Sequence, residues 1–267
     1  MAKQAYDLFF AAVSAALAEK LTTDKGLRAP INGFTAALHT WNQRLEFHPH
    51  IHCLLPGAGL NAKGQAVRVK KADFLVHLHH LQAAFRQHMR RLLDQEHWPV
   101  DPIVWTKDWG VHIQPAGSGG AALKYLGAYV ARTAITDRRM VALEASSVSF
   151  NWKDRSNHNC IQTLKLPGVE FVRRYLRHAL PRGLRSVRYY GFCHPAAKAN
   201  RMRLQFETGM PLQLGATHTL NLPATKPSRC PYCGSRRLSF FRLVPLRRGR
   251  APPKRQATHI AQPTHRS

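Results

Sequence analysis

Acidic side chains are scarce in this chain. Its 267 residues hold 14 Asp and Glu against 40 Lys and Arg, which gives a formal net charge of +26 and a pI near 10.9. So few carboxylates exclude a two-metal nuclease built on converging Asp and Glu. A field of one sign points instead to a polyanionic partner, nucleic acid first. Cysteine is scarce too. Cys53, Cys160, Cys193, Cys230 and Cys233 show no regular spacing outside the last pair, which excludes a disulfide framework and fits a reducing cytoplasm. Long apolar runs are missing as well. LFFAAVSAALAEK, residues 8–20, is too short to span a membrane, and Lys3 offset by Asp7 makes a poor signal-peptide start. It reads as an amphipathic helix over residues 4–20 with Leu8, Ala12, Ala15 and Ala16 inward. There is no internal repeat.

What is present is enough for a core, with 44% hydrophobic residues. FTAALHTW (34–41) and Phe47–Leu55 alternate as short strands around the turn NQRLE. A helical pattern runs over 72–95 with Phe74, Leu78, Leu81, Phe85, Met89 and Leu92 as its stripe, and the histidines around it, His77, His79, His80 and His88, read as solvated or packed. Residues 100–120 read as two short strands and a flexible loop, and a helix begins near Ala121. A hairpin is expected over 147–166 with Val148, Phe150 and Trp152 on one face, followed by a helix over 169–180 and a strand over 187–192. After about Leu212 periodicity gives way to Pro-, Thr- and Arg-rich sequence.

Two stretches carry chemistry. In FHPHIHCLL, beginning at Phe47, His50 and His52 project from one face of a strand with Ile51 turned to the core, and His48 adds a third imidazole to a strand otherwise apolar. Two imidazoles so placed can share one metal ion, and by themselves they suit zinc, iron or nickel. In ALKYLGAYVARTAI, Tyr125 and Tyr129 lie four apart on one helix face that also carries Arg132, just after a Gly-Ser-Gly-Gly loop. A phenol is a poor nucleophile at neutral pH, so a metal polarising the scissile phosphate would have to help it.

LHTWNQRLEFHPHIHCLLPGAGL, ALKYLGAYVARTAI and RRYLRHALPRGLRSVRYYGFCHPAAK, taken in order, resemble the two-tyrosine HUH transposases of insertion-sequence family ninety-one and their common-region relatives, over residues 6–210. The resemblance implies that His50, Ile51 and His52 form the histidine–hydrophobic–histidine motif and that Tyr125 and Tyr129 are paired nucleophiles. It also implies rolling-circle transposition of single-stranded DNA through 5′-phosphotyrosine with Mg2+ or Mn2+. A third metal ligand is expected, Gln43 first, then His48 and His39. Relatives carry a cysteine-rich zinc module and a further strand ahead of the region seen here, so the sequence resembles an N-terminally truncated copy.

The expected fold is α+β: an HUH-like antiparallel sheet with helices packed on one face, then a basic, largely irregular tail. The expected divisions are an N-terminal helix and linker (1–30), a catalytic domain (31–212) and the tail (213–267). Lys124, Arg132, Arg138, Arg139, Arg173, Arg174 and Arg177 are the candidate DNA contacts. Cys230 and Cys233, in CPYCG, are half of a zinc knuckle that would need two more ligands to hold Zn2+. A plasmid replication initiator or relaxase of the same chemistry, and a DNA-binding fragment without catalysis, are the competing readings.

Overall fold

In the computed structural model the described residues are 2–71, 73–116, 127, 134–154 and 156–209. All lie within the first of two compact units, residues 1–212. Helix α1 (Ala2–Thr23) leads into strands β1 (Gly33–Trp41) and β2 (Phe47–Leu54), the short hairpin β3 (Ala58–Leu60) and β4 (Ala66–Arg68), and helix α2 (Leu78–Gln95). A one-turn helix α3 (Ile103–Thr106) follows. Then come β5 (Met140–Leu143), β6 (Ser147–Asp154), β7 (Cys160–Pro167), α4 (Gly168–Leu176), β8 (Val187–Gly191) and α5 (Lys198–Thr208). Among the described residues no helix is long and apolar enough to cross a membrane.

The principal sheet has the order β2-β1-β8, antiparallel throughout. Its central strand β1 is buried along nearly its whole length, and the sequence allows this because Ala36 and Ala37 let both sides be covered closely. Alternation sends Phe34, Ala36 and Leu38 to one face, where Ile51, Cys53 and Tyr190 join them. That face packs against α1 and α2 through Phe10, Leu17, Leu21, Leu81 and Ala84. The two helices are locked together by Phe9 against Phe85 at 5.9 Å and by His88 Nε2 on Glu19 at 2.7 Å. Thr35, Ala37, His39 and Trp41 take the opposite face. This is the expected α+β arrangement, an antiparallel sheet carrying the histidines with helices on one side.

A second sheet, β5-β6-β7, is backed by α4 through Phe150 and Phe171, 5.9 Å apart. It meets the first at the β1–β2 turn. Leu45 at the tip of that turn is fully buried among Ala134, Phe150 and Leu166, and it adopts φ 59°, a left-handed conformation that disfavours a side chain. Two devices hold it there. The Asn42 side-chain oxygen accepts the backbone N–H groups of Arg44 (2.9 Å) and Glu46 (3.0 Å). His178, buried after α4, donates from Nε2 to the Leu45 carbonyl at 3.1 Å, which leaves Nδ1 to accept from the Thr40 hydroxyl at 3.2 Å. Burial pushes the His178 pKa down, against the pull of the Leu45 carbonyl, so the ring is held in the neutral tautomer that this double role requires.

Several local expectations are corrected. Helix α2 starts at Leu78, six residues later than the apolar pattern suggests, because the Asp24 carboxylate accepts the His77 backbone N–H at 3.2 Å and fixes the start there. Its buried stripe is Leu81, Ala84 and Leu93, while Leu78 is left 38% exposed. The segment 100–116 holds no strand. Asp101 accepts the Ile103 N–H at 2.9 Å and Pro102 presets the first turn, so IVWT coils into α3. Helix α5, ended by Gly209 at φ 61°, was not anticipated, since its exposed basic face has little apolar periodicity.

Replacing Leu45 by Ala empties the joint between the two sheets, and a buried Leu→Ala change costs about 2–5 kcal/mol. A urea denaturation midpoint that falls accordingly is the expected result; an unchanged midpoint would show that the turn does not anchor the second sheet.

Candidate metal centre

The histidine face is set by strand register. Next to the turn Trp41 pairs with Phe47, but two residues further along β1 His39 pairs with His50, so β2 spends one extra residue between the two pairs. That bulge spans His48 and Pro49, and Pro49 has no N–H to give to a ladder, which makes it the natural place for a break. A regular ladder continued from the turn would have set His39 against Pro49 and turned it away from His50. The bulge shifts the register by one and brings His39 onto the face of His50 and His52. Ala37, paired with His52, is small enough to leave that ring room.

Ligand atoms of His39, His50 and His52 all lie within 4.8 Å of one another. The ring centroids are 5.6 Å apart for His39 and His50, 4.8 Å for His39 and His52, and 4.8 Å for His50 and His52. His39 is buried, stacked on Trp41 at 4.7 Å, and the His52 Nε2 atom is closed off from solvent. His50 Nδ1 lies 2.7 Å from the His48 carbonyl. A carbonyl only accepts, so that nitrogen carries the proton and Nε2 is the lone-pair nitrogen, the tautomer a metal ligand needs. A metal about 2.1 Å from each nitrogen wants its ligand atoms roughly 3–4 Å apart, a spacing within the 4.8 Å that bounds these three. The donor set fits one divalent ion, with space for oxygen ligands because both β2 histidines are only half-buried.

The other expected ligands sit differently. His48 is exposed, its ring 5.3 Å from that of His50, and it takes part through its carbonyl. Gln43 lies in the β1–β2 turn, where its backbone carbonyl accepts from the Arg139 guanidinium. Tyr125, Tyr129, Lys124, Arg132, Cys230 and Cys233 fall outside the described residues.

Most of the described basic candidates gather around the same turn. Arg139 also donates to the Asn151 carbonyl at 2.8 Å, and Arg174 to the Arg44 carbonyl at 3.1 Å. Arg177 lies over the Phe47 ring at 5.8 Å, and Arg138 is exposed. Arg173 and Arg174 both hydrogen-bond Glu170, and together they hold its carboxyl down at about 2. Arg139 and Arg174 therefore brace the turn, whereas Arg138 and Arg177 present charge outward. Nothing local in the sequence marks the bracing role, because both carbonyls belong to a turn distant in the chain.

Comparison with known proteins decides the kinship. Residues 33–201, which contain the histidine sheet, match the model of the family Y2_Tnp, described as "Putative transposase". The chain belongs to this family of transposases, the insertion-sequence family ninety-one group. It is 34% identical over 208 residues to "Putative transposase y4qJ" of Sinorhizobium fredii, covering 70% of this chain and 52% of that protein. It is 24% identical over 235 residues to "Transposase for insertion sequence element IS801" of Pseudomonas savastanoi pv. phaseolicola, covering 79% of this chain and 56% of that one. The transposase chain thus spans about half the length of these curated relatives. No solved structure matches it.

The third ligand can be read directly. His39→Ala is expected to weaken Mn2+ binding, measured by isothermal titration calorimetry, by about 100-fold or more, whereas Gln43→Ala keeps it near the wild-type value. The reverse pattern would assign the third position to Gln43.

Proposed function

We propose that this transposase chain nicks and rejoins single-stranded DNA by tyrosine chemistry assisted by one divalent ion, Mg2+ or Mn2+, in rolling-circle transposition. The observation that carries the reading is the convergence of His39, His50 and His52 on one sheet face, within the segment that matches the transposase family. A bound ion would supply Lewis-acid polarisation of a phosphate oxygen and so make the phosphorus a target that a phenol can attack.

The chain's own residues do the rest. Tyr125 or Tyr129 attacks a backbone phosphorus, its proton passing to water; the P–O3′ bond breaks and leaves a free 3′-hydroxyl with the 5′ phosphate on the phenol oxygen. The second tyrosine repeats the step on another strand, so bond energy is conserved and no ATP is consumed. His48 positions His50 through its carbonyl. Arg138 and Arg177 meet the DNA backbone at the turn beside the histidines, joined by Lys124 and Arg132, which flank Tyr125 and Tyr129 in the sequence. Most of the affinity comes from Lys and Arg and falls steeply with salt. The site would work in the cytoplasm, where the element's DNA lies. Cys230 and Cys233 would hold Zn2+ only with ligands from elsewhere.

The test separates chemistry from binding. Tyr125→Phe/Tyr129→Phe keeps both rings, and His50→Ala/His52→Ala keeps every cation. Each double variant should bind a single-stranded oligonucleotide within about threefold of wild type, as phosphate contacts dominate, yet form no covalent protein–DNA adduct on a denaturing gel. Adduct persisting in the tyrosine variant would place the nucleophile elsewhere, and adduct persisting in the histidine variant would remove the metal from the reaction.

A further inference from the structure

A second convergence of ligand atoms lies in the helical layer, on the side of the sheet away from His39. Asp24 follows the end of α1 and its side chain is 1% exposed, unusual for a carboxylate in a chain with so few of them. Two imidazoles from the start of α2 close on it. His77 Nδ1 lies 2.5 Å from Oδ1 and His80 Nδ1 lies 2.9 Å from Oδ2, and the two rings are 4.8 Å apart. The ligand atoms of all three residues fall within 4.8 Å of one another. Both imidazoles are half open to water, at 44% and 62% exposure, so the side facing away from Asp24 is accessible.

We propose that Asp24, His77 and His80 form a second metal site that takes a borderline divalent cation of the zinc, cobalt or nickel class, with water completing the coordination. Nitrogen and carboxylate donors suit those ions, and His77, the extended residue that caps α2, lies beside His80 of its first turn so that both rings meet Asp24. Each ring presents the same atom, Nδ1, to the same carboxylate. A helix N-terminus disfavours a bare cation, and the Asp24 charge beside it offsets that. Bound there, the ion would staple the end of α1 to the start of α2 and so brace the layer that backs the histidine sheet. The site is independent of the DNA chemistry and survives or fails separately from it.

The competing arrangement is a pair of neutral imidazoles donating Nδ1–H to Asp24 with no ion. Zn2+ bound at equilibrium, counted per chain by dialysis and elemental analysis, separates the two. His77→Gln/His80→Gln can still donate to Asp24 from the side-chain amide but ligates poorly. Wild type should bind one equivalent more than this variant, whatever the other sites hold, and zinc should raise its melting temperature by a larger margin. Equal stoichiometry in the two proteins overturns the proposal. Should circular dichroism show the double variant unfolded, His80→Gln alone, which keeps both His77 contacts to Asp24, is counted in its place, with the same one-equivalent difference required.

Discussion

One register shift decides what the histidine face can do. A β-strand repeats every two residues, so a slip of one sends each side chain to the other side of the sheet. From the turn, the ladder runs regularly at Trp41 and Phe47 and would carry His39 away from His50 if it continued unbroken. The extra residue at His48 and Pro49 corrects the phase. The carbonyl of His48, inside the bulge, then accepts the His50 ring proton, so the irregularity that gathers the rings also fixes a tautomer.

The surroundings keep that shift in place. Leu45 is held in a left-handed conformation by its buried contacts, and the neutral His178 ring ties the turn to β1 through the Leu45 carbonyl and Thr40. Arg139, just before β5, and Arg174, on α4, grip two further turn carbonyls. A strained residue and a bulge, each costly alone, are thus over-determined by packing and hydrogen bonds from two layers, as is common beside functional sites. The excess of cations serves the same end: some of the arginines fasten the turn, and others extend a positive surface around it.

The sequence made the strands, the turn and the shared face of His50 and His52 legible, because alternation is a local property. The hairpin over 147–166 was legible for the same reason. His39 was harder. It sits four residues before Gln43 in an apolar strand, and only the pairing across the turn shows it to be near His50; Pro49 inside a strand was the available signal. Asp24 with His77 and His80 was out of reach, since 53 residues separate the acid from its first partner and nothing local marks the link. Over 100–116 the aromatic and β-branched residues suggested strands, but the Asp101-Pro102 start signal outweighed them.

The central claim is that three imidazoles from two strands hold one ion, and the direct measurement is anomalous diffraction from crystals of the chain soaked in Mn2+. The account predicts a peak about 2.2 Å from ring nitrogens of His39, His50 and His52 together, with Nε2 as the bonded atom of His50. A manganese peak that leaves His39 out, or one bound by Gln43 in its place, would contradict it.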